Sequence, residues 1–254
     1  MKLYDIKGGN TQVTDIIYNL EEVNCIYNAT LGQNTNPTWK EMRKGIITAS
    51  NFKRVYTRSI SMEKNPDAKP DALLRHLLGD NKPHSGPVPA ALKWGHDHEE
   101  KARSMYTQVE KKKHRRLQVD GAGLLLDVDC PYLGCSADGV VSCHCKTHDR
   151  KLIEIKCPYA LRDKSPKDAA KERGCIKRDG KWLLKPSSDY YTQIQGQLGI
   201  HNLKVCDLVV YTTKGIHVIP VNFDQDFFDD LKKRLTQFFT KHMFPALLAE
   251  WKGD

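Results

Sequence analysis

The spacing of hydrophobic residues predicts mostly helices in the first third of the chain. Apolar side chains recur there at intervals of three or four residues, which is the repeat of one helix face. The pattern predicts helices over 11–30, 48–58 and 71–78, and a longer helix over 90–109. Pro87 and Pro89 precede the longer helix, where the first turn tolerates a missing N–H.

After residue 116 the pattern becomes typical of strands. Runs rich in Leu, Val and Ile predict strands over 117–127, 132–142 and 151–156, and the last two are expected to pair as a hairpin with its tip at 143–150. A basic region without a predicted element follows. We then expect a helix over 187–200 capped by Ser187, a hairpin of strands 204–213 and 215–222, and an amphipathic helix after Asp224. The order of elements indicates a mixed α/β fold, an α+β mixed sheet flanked by helices, rather than a doubly wound sheet.

Composition narrows the class of protein. The chain has 254 residues, of which 39% are apolar, and this excludes a fully disordered chain. Mean hydropathy is −0.58, and no apolar run approaches the ~18–20 residues needed to cross a bilayer. The segment Met1–Asp5 contains no hydrophobic stretch typical of a secretion signal. We therefore expect an intracellular protein, cytoplasmic or nuclear.

The charge is strongly positive and unevenly distributed. The formal net charge is +9, and residues 143–186 alone hold 13 Lys/Arg against 6 Asp/Glu. Such a stretch favours a polyanion, most simply nucleic acid, although a solvated lysine-rich loop has the same composition. The eight cysteines are scattered through a chain that is long enough to fold without disulfides, so we interpret them as reduced thiols.

Two charged residues stand side by side in one predicted strand. Glu154 and Lys156 are two residues apart and so share a face, and antiparallel pairing with the preceding strand brings Asp138 towards Glu154. Burying these charges costs several kcal/mol unless they are paired or bind an ion. Two carboxylates are hard oxygen ligands that suit Mg²⁺ or Mn²⁺. The alternative is an ion pair between Glu154 and Lys156 at a sheet edge.

A third acid interrupts an apolar helix face. Glu99 belongs to a stripe with Leu92, Ala102 and Tyr106, which predicts that its side chain points inward. Glu100 lies about 100° away around the helix, with the solvated residues. Glu99 is therefore the candidate functional acid and Glu100 a surface residue.

Five motifs occur in one order along residues 39–220. They are Trp39-Lys40-x-x-Arg43-x-Gly45-Ile46-Ile47-Thr48-Ala49-Ser50, Trp94-Gly95-x-x-x-Glu99-x-x-Ala102, Cys135-Ser136-x-Asp138-Gly139, Glu154-Ile155-Lys156-Cys157-Pro158 and Tyr190-x-x-Gln193-x-Gln195. In these residues the chain resembles the lambda-exonuclease or YqaJ-type viral recombinase nucleases of the PD-(D/E)XK nuclease superfamily. The resemblance implies a restriction-endonuclease-like core in a single nuclease domain over 1–254, with a helical N-terminal part to about 89 and a catalytic core from about 90.

The resemblance also implies a metal site. Asp138, Glu154 and the main-chain carbonyl of Ile155 would ligate Mg²⁺ or Mn²⁺, with two ions expected, and Glu99 would help to complete the site. Lys156 would position or activate the attacking water and neutralise the scissile phosphate. Gln193 would orient Lys156 or the water.

Further residues are implied to bind DNA. Arg43, Ser50 and Ser136 resemble the family's pocket for a terminal 5′ phosphate, to which guanidinium and hydroxyl groups are suited. Charge alone indicates that the basic region contacts the DNA backbone through a second set, comprising Arg162, Lys164, Lys167 and Lys171.

The function that follows is a metal-dependent 5′ to 3′ exonuclease acting on 5′-phosphorylated ends of linear double-stranded DNA, for recombination or repair. An endonuclease or single-strand nuclease on the same fold is the first alternative, and a non-catalytic DNA-binding module is the second. The implied partners are double-stranded DNA ends, a single-strand annealing protein and, in a homotrimer, further copies of the chain.

One more cluster has metal-ligand character. Cys143, Cys145 and His148 lie within six residues in the predicted hairpin tip. Their spacing matches no standard zinc finger, so we expect a polar hairpin tip rather than a zinc site.

Overall fold

The computed structural model describes residues 12–65, 67–79, 88–145 and 149–252. The helices are α1 (Leu20–Ala29), α2 (Pro37–Met42), α3 (Ala49–Lys64), α4 (Asp71–Leu78), α5 (Ala90–Lys111), α6 (Pro166–Glu172), α7 (Asp189–His201), α8 (Gln225–Phe238) and α9 (Phe244–Lys252). The strands are β1 (Ile47–Thr48), β2 (Gln118–Asp120), β3 (Leu125–Leu126), β4 (Leu133–Cys135), β5 (Gly139–Ser142), β6 (Lys151–Lys156), β7 (Cys175–Arg178), β8 (Lys181–Leu184), β9 (Val205–Thr212) and β10 (Gly215–Asn222).

The largest sheet is mixed, and β6 is its central strand. The strand order is β10-β9-β6-β5-β2. On one side β6 pairs antiparallel with β5, with Gly139 opposite Ile153. On the other side β6 pairs parallel with β9, with Glu154 opposite Leu208. This sheet and its flanking helices confirm the predicted mixed α/β fold.

A small second sheet joins the N-terminal segment to the middle of the chain. Its order is β1-β4-β3, and β1 runs parallel to β4 with Thr48 opposite Gly134. This pairing places the motif that ends in Ser50 beside the motif that begins at Cys135, although the two are far apart in sequence.

One hydrophobic core is shared by the N-terminal and C-terminal helices. Phe52 and Val55 of α3 belong to the same buried cluster as Leu231 and Leu235 of α8. Phe238 continues this cluster before a π-helical turn over Phe239–Met243 leads into α9. Within the described residues, every helix is too short or too polar to cross a membrane.

Several predicted elements agree with the structure. Strand 151–156 and helix 71–78 have the predicted bounds, and the second hairpin and the helix over 90–109 differ by two residues at most. The helix over 48–58 continues to Lys64. The strands before and after 143–150 pair as predicted.

The helix predicted over 11–30 is wrong in its first half. Residue 11 lies outside the described residues, Val13–Asp15 forms a single 3-10 turn, and the helix begins only at Leu20. Asn19 and Glu22 form a reciprocal capping box, each side chain accepting the other's backbone N–H at 2.9 Å. This cap starts the helix in the middle of the apolar pattern.

Two predicted strands are each divided in two. Residues 117–127 form β2 and β3, and residues 132–142 form β4 and β5, in different sheets. Gly123 lies in the first break, where a Cβ would come within 1.9 Å of the Tyr27 carbonyl. An alternating pattern cannot show where a chain changes sheets. The second break is functionally important because it places Asp138 at the entry to β5.

The basic region is more ordered than the hydrophobic pattern predicts. Ser165 caps α6, and β7 and β8 form a hairpin whose turn residues Asp179 and Gly180 have φ of 50° and 77°. An Asp-Gly pair is a typical hairpin turn, so this signal was present in the sequence. The cap of α7 is Ser188 rather than Ser187, because the Ser188 hydroxyl accepts the Tyr190 N–H.

Candidate active site

Asp138 lies where β5 begins, beside the end of β6. Its Oδ2 accepts the Ile155 backbone N–H at 2.5 Å, and its own carbonyl accepts a hydrogen bond from the Arg103 guanidinium of α5. Burial, followed by the nearby carboxylates of Glu154 and Glu99, raises the pKa of Asp138 well above its ordinary value. Asp138 is therefore held in place beside two other acids.

Glu154 is buried at the centre of the site, with 2% of its side chain exposed. Its Oε1 accepts from Lys156 Nζ and from Gln193 Nε2, each at 2.6 Å. Its Oε2 accepts from Gln197 Nε2 at 2.8 Å. These three donors offset the cost of burying a charge.

Lys156 joins the acids to helix α7. Its Nζ donates to Gln193 Oε1 at 3.0 Å and lies 5.2 Å from the centre of the Tyr190 ring. Burial acts to lower the pKa of Lys156, but attraction from Glu154 and Asp138 outweighs it, so the pKa lies above its ordinary value. The lysine is a cation at neutral pH.

Glu99 is less buried than its helix stripe predicts. Its side chain is 35% exposed and pairs with Arg103 at 3.0 Å, whereas Glu100 is 83% exposed, as predicted. Leu92, expected to be buried in the same stripe, is exposed. The buried face of α5 comprises Ala102, Tyr106 and Glu110.

Helix α7 is held at close range by two glycines. A Cβ on Gly196 would come within 2.3 Å of the Phe52 ring, and one on Gly199 would come equally close to Phe228. This packing places Gln193 and Gln197, one turn apart, over Glu154. Gln195 points elsewhere, since it bonds the main chain of Asn222 and Asp224.

A second polar cluster contains the three residues expected to bind phosphate. Arg43 donates to Thr48 Oγ1 at 3.2 Å, and Thr48 Oγ1 lies 3.2 Å from Ser50 Oγ. The Arg43 guanidinium also lies 4.0 Å from the centre of the Trp39 ring, and Trp39 Nε1 donates to Ser136 Oγ at 2.8 Å. Arg43, Ser50 and Ser136 are thus brought together, with Trp39 and Thr48 between them.

One cleft is lined by a member of the phosphate cluster and by Gln193, which donates to Glu154 of the acid cluster formed by Asp138, Glu154 and Glu99. The cleft has a volume of about 800 Å³, and Ser50 lines it together with Tyr190 and Gln193. Lys53, Arg54 and Arg58 of α3 extend the lining with positive charge. A chain with regularly spaced negative charges fits this shape and charge.

The cations predicted in the basic region have neighbours of opposite charge. Lys164 pairs with Glu172, Lys171 pairs with Asp168, and the Arg162 guanidinium lies 3.6 Å from Asp163. Lys167 is exposed. These contacts reduce the charge that this surface offers to a polyanion, and the DNA contacts of these four residues stay a prediction.

Sequence reasoning missed Gln197, Arg103 and the three cations of α3. Gln197 and Arg103 each lie four residues after a predicted site residue, Gln193 and Glu99 respectively, and so share its helix face. That spacing was a usable signal. The α3 cations could not be assigned because which helix face borders a cleft depends on tertiary packing.

The donor atoms of the acid cluster suit a hard divalent cation. The carboxylates of Asp138, Glu154 and Glu99 lie together without an equal number of cations close by, and burial together with the two neighbouring carboxylates raises the pKa of Asp138. The N–H and C=O of a strand residue point to the same neighbour, so the Ile155 carbonyl faces the same side as the N–H that bonds Asp138. Carboxylate and carbonyl oxygens are the ligands of Mg²⁺ and Mn²⁺.

The cysteines of the predicted hairpin tip meet a histidine that was not expected there. Cys143 and Cys145 lie close to His114, which follows α5. His148 lies outside the described residues. Among the described residues, the cluster at this tip therefore includes His114 beside the two cysteines.

A mixed sheet with two acids and a lysine on its central strands, and a helix of glutamines above them, defines an α/β fold with a candidate metal-dependent active site. Residues 38–204 match the family model of the YqaJ-like viral recombinase domain. The chain therefore belongs to the YqaJ-like viral recombinase family, as the resemblance predicted. No curated protein matches the chain.

Solved structures share this fold at low sequence identity. The alkaline exonuclease LHK-Exo from Laribacter hongkongensis is 22% identical, with a TM-score of 0.57 over 84% of this chain and 93% of that one. The Kaposi's sarcoma-associated herpesvirus protein SOX, in an RNA complex, is 15% identical, with a TM-score of 0.57 over 90% and 76%. A phage-related exonuclease from Haemophilus somnus is 10% identical, with a TM-score of 0.53 over 81% and 96%.

Proposed function

We propose that the protein is a divalent-metal-dependent 5′ to 3′ exonuclease that degrades one strand of linear double-stranded DNA from its 5′-phosphorylated end. The observation that carries this proposal is the closeness of the two polar clusters, since Gln197 Nε2 donates both to Glu154 Oε2 and to the Ser136 carbonyl. Ser50 of the phosphate cluster and Gln193 above the acids both line one cleft. A DNA end held at Arg43 would therefore lie close to Glu154 and Lys156.

The acid cluster would hold the metal and prepare the reaction. Asp138, Glu154, the Ile155 carbonyl and Glu99 would bind Mg²⁺ or Mn²⁺, with two ions expected from the family resemblance. Such an ion, when bound, supplies positive charge against the charge that develops on a phosphodiester in its transition state. Lys156 adds a cation for the scissile phosphate. Gln193 fixes the lysine, since it accepts from Nζ while it donates to Glu154.

The phosphate cluster would distinguish the DNA end. A terminal phosphate monoester carries close to two negative charges near neutral pH, whereas an internal phosphodiester carries one. Arg43 offers a charged donor beside the hydroxyl groups of this cluster. Because the guanidinium is partly buried, it loses water contacts that a bound anion would replace. Processing from a 5′ end follows if this cluster must be filled before cleavage.

Digestion of labelled DNA tests the proposal. Linear duplexes labelled at either end, with and without a 5′ phosphate, are compared with a closed circle in Mg²⁺. Mononucleotides released first from the 5′ end, with a preference for phosphorylated ends, are expected. Cleavage of the closed circle would favour the endonuclease alternative, and binding without cleavage in Mg²⁺ and Mn²⁺ would favour a DNA-binding module.

Arg43→Ala separates end recognition from chemistry. The variant should lose most of the preference for phosphorylated ends, about tenfold or more for a charge-assisted hydrogen bond, while slow metal-dependent hydrolysis persists. Lys40→Ala is the matched control, because Lys40 is exposed on the same short helix. If Arg43→Ala slows phosphorylated and hydroxyl ends by the same factor, the assignment of the phosphate cluster is wrong.

The salt dependence of binding locates the DNA path. Each phosphate contact adds about 0.9 to the slope of log affinity against log salt. Neutralising Lys53, Arg54 and Arg58 together should reduce this slope more than neutralising Arg162, Lys164, Lys167 and Lys171, because all of the latter except Lys167 are ion-paired. An equal or reversed effect would place the DNA on the α6 surface.

A single-strand annealing protein as partner and a homotrimer are further proposals from the family resemblance. Sedimentation velocity tests the trimer.

A further inference from the structure

A second group of metal-ligating side chains lies at the opposite end of the β5–β6 hairpin from the acids. One ligand atom each from His114, Cys143 and Cys145 lies within 4.8 Å of the others. His114 follows the end of α5, and the two cysteines follow the end of β5. None of the three belongs to the proposed nuclease site.

The histidine is oriented as a metal ligand would be. Its Nε2 lies 3.3 Å from Glu110 Oε2, and Glu110 is a buried carboxylate on the last turn of α5. This contact turns Nδ1 towards Cys145, whose Sγ is 4.0 Å away. A carboxylate that holds the far nitrogen of a ligating histidine is the usual outer partner of zinc sites, where it fixes the ring and its tautomer.

The cysteine segment is also held in place by main-chain contacts. The Arg115 backbone N–H donates to Cys145 Sγ at 3.2 Å, and the His144 N–H donates to the Arg115 carbonyl at 2.9 Å. A backbone donor to sulfur favours the thiolate form that binds metal. His114 and Cys143 both line a small cavity of about 290 Å³ at this end of the hairpin.

The spacing of the three ligand atoms is close to that of a tetrahedral zinc site. Zn–S bonds of about 2.3 Å and Zn–N bonds of about 2.0 Å place ligand atoms roughly 3.5–3.8 Å apart. The Cys145–His114 distance of 4.0 Å is near this range, and since no separation exceeds 4.8 Å, side-chain shifts of about 1 Å at most would bring the three atoms to these distances. Two thiolates and one imidazole select zinc over Mg²⁺ because they are soft ligands.

We propose that His114, Cys143 and Cys145 bind a zinc ion, with a solvent molecule in the fourth tetrahedral position and with Glu110 as the residue that positions His114. Two thiolates balance the charge of the ion, and their protons are released to solvent on binding. The ion would tie the C-terminal end of α5 to the end of β5. Because α5 carries Glu99 and Arg103, and Asp138 precedes β5, the zinc would stiffen the two elements that hold the acid cluster.

Metal analysis of the full chain, purified without chelator, tests the proposal. We expect about one zinc per chain in the wild type and in Cys25→Ser, a control at an exposed cysteine. The double variant Cys143→Ser/Cys145→Ser should retain little or no zinc. After exchange, Co²⁺ should give the near-ultraviolet charge-transfer band of thiolate ligands in the wild type and lose it in the double variant.

A milder variant keeps the test decisive if the double variant fails to fold. Glu110→Gln leaves all three ligands in place and should weaken zinc affinity about 10–100-fold, measured by competition with a chromophoric chelator. A wild type without zinc that gives no Co²⁺ thiolate band would overturn the proposal, as would full zinc content in the folded double variant. Neither readout depends on DNA cleavage. The zinc proposal and the proposed nuclease activity can therefore each be refuted without affecting the other.

Discussion

Each end of strand β6 buries a lysine among carboxylates, yet the two ends differ in charge balance. At the start of the strand, Lys151 Nζ lies 2.6 Å from Asp207 and 3.4 Å from Glu110. Tyr106 donates a further hydrogen bond to Asp207 at 2.6 Å, and Lys113 pairs with Glu110 at 2.6 Å. Two acids there meet two lysines.

At the other end, acids outnumber the cations that reach them. Lys156 pairs with Glu154 at 2.6 Å, and Asp138 and Glu99 lie nearby. The Arg103 guanidinium forms ion pairs with both Glu99 and the exposed Glu100. This end therefore retains negative charge that the protein itself does not compensate.

The carboxyl pKa values express this difference. Burial acts to raise the pKa of Glu110, but Lys113 and Lys151 outweigh it, so the pKa lies below its ordinary value. Burial acts in the same direction on Asp138, and Glu154 and Glu99 add to it, so the pKa rises. A buried lysine beside an acid is thus not a functional signal by itself. The signal is an acid whose charge remains unpaired.

The largest expected effect comes from removing a single acid at the uncompensated end. Glu154→Gln or Asp138→Asn should abolish cleavage, at least about 10³-fold, because several kcal/mol of metal-dependent stabilisation is lost. DNA binding in Ca²⁺ should remain largely intact. Asp207→Asn at the compensated end is the matched control and should keep the cleavage rate per folded molecule. Near wild-type cleavage by Glu154→Gln would refute the metal assignment.

Substitutions of the two lysines of β6 should affect different properties, the cleavage rate for Lys156 and the free energy of unfolding for Lys151. Lys156→Met should reduce the cleavage rate about 10²–10⁴-fold, since it removes a positioned cation or proton donor. Lys151→Met should instead cost about 3–5 kcal/mol in the free energy of unfolding, because it leaves the buried Asp207 carboxylate without the cation that pairs with it. Urea unfolding and single-turnover cleavage at low temperature measure the two effects. A folded but inactive Lys151→Met would remove the distinction between the two ends.

Adjacent acids on α5 provide a smaller contrast. Glu99→Gln should reduce cleavage about tenfold in Mg²⁺, since the residue is only partly buried and shares Arg103. Glu100→Gln should stay within about twofold of the wild type. Rates at several Mg²⁺ concentrations show whether the loss is one of metal affinity. Equal effects of the two substitutions would exclude Glu99 from the metal site.

The smallest expected effect is a gain of stability. Because the pKa of Asp138 is raised in the folded protein, its ionisation at neutral pH costs free energy of folding. In EDTA, Asp138→Asn should therefore raise the Tm, by about 2–4 °C for each kcal/mol relieved. Ca²⁺ should stabilise the wild type more than Asp138→Asn in a thermal melt. A lower Tm for Asp138→Asn in EDTA would mean that its hydrogen bonding outweighs the repulsion.

Local signals predicted the centre of the site well. Glu154 and Lys156 share a strand whose bounds were predicted correctly, and the hairpin that brings Asp138 near them follows from two adjacent β-like runs. The roles of these residues stay predictions, but their proximity in space follows from strand geometry. Arg43 and Ser136 were grouped only through the family resemblance. The parallel pairing of β1 with β4 cannot be recognised from the local spacing of hydrophobic residues.

What could not be predicted depends on contacts between distant elements. The division of 132–142 into β4 and β5 reflects a change of sheet partner, and the exposure of Leu92 shows that its helix stripe is not covered along its whole length. The contact of His114 with the cysteines brings the end of a helix to the end of a strand about 30 residues later. Hydrophobic periodicity describes one element at a time and carries no information about contacts between distant elements.

The parallel pairing of β6 with β9 has a consequence for how the chain folds. Leu152 pairs with Cys206, so this half of the central sheet closes only after α6, the β7–β8 hairpin and α7 have been synthesised, whereas the β5–β6 hairpin is local. Closing so long a loop costs entropy before the new contacts repay it, which slows the step. We expect the β5–β6 hairpin to form early and β9 to dock late. The edge of β6 then stays open in the nascent chain, and the glutamines of α7 reach Glu154 only near the end of folding.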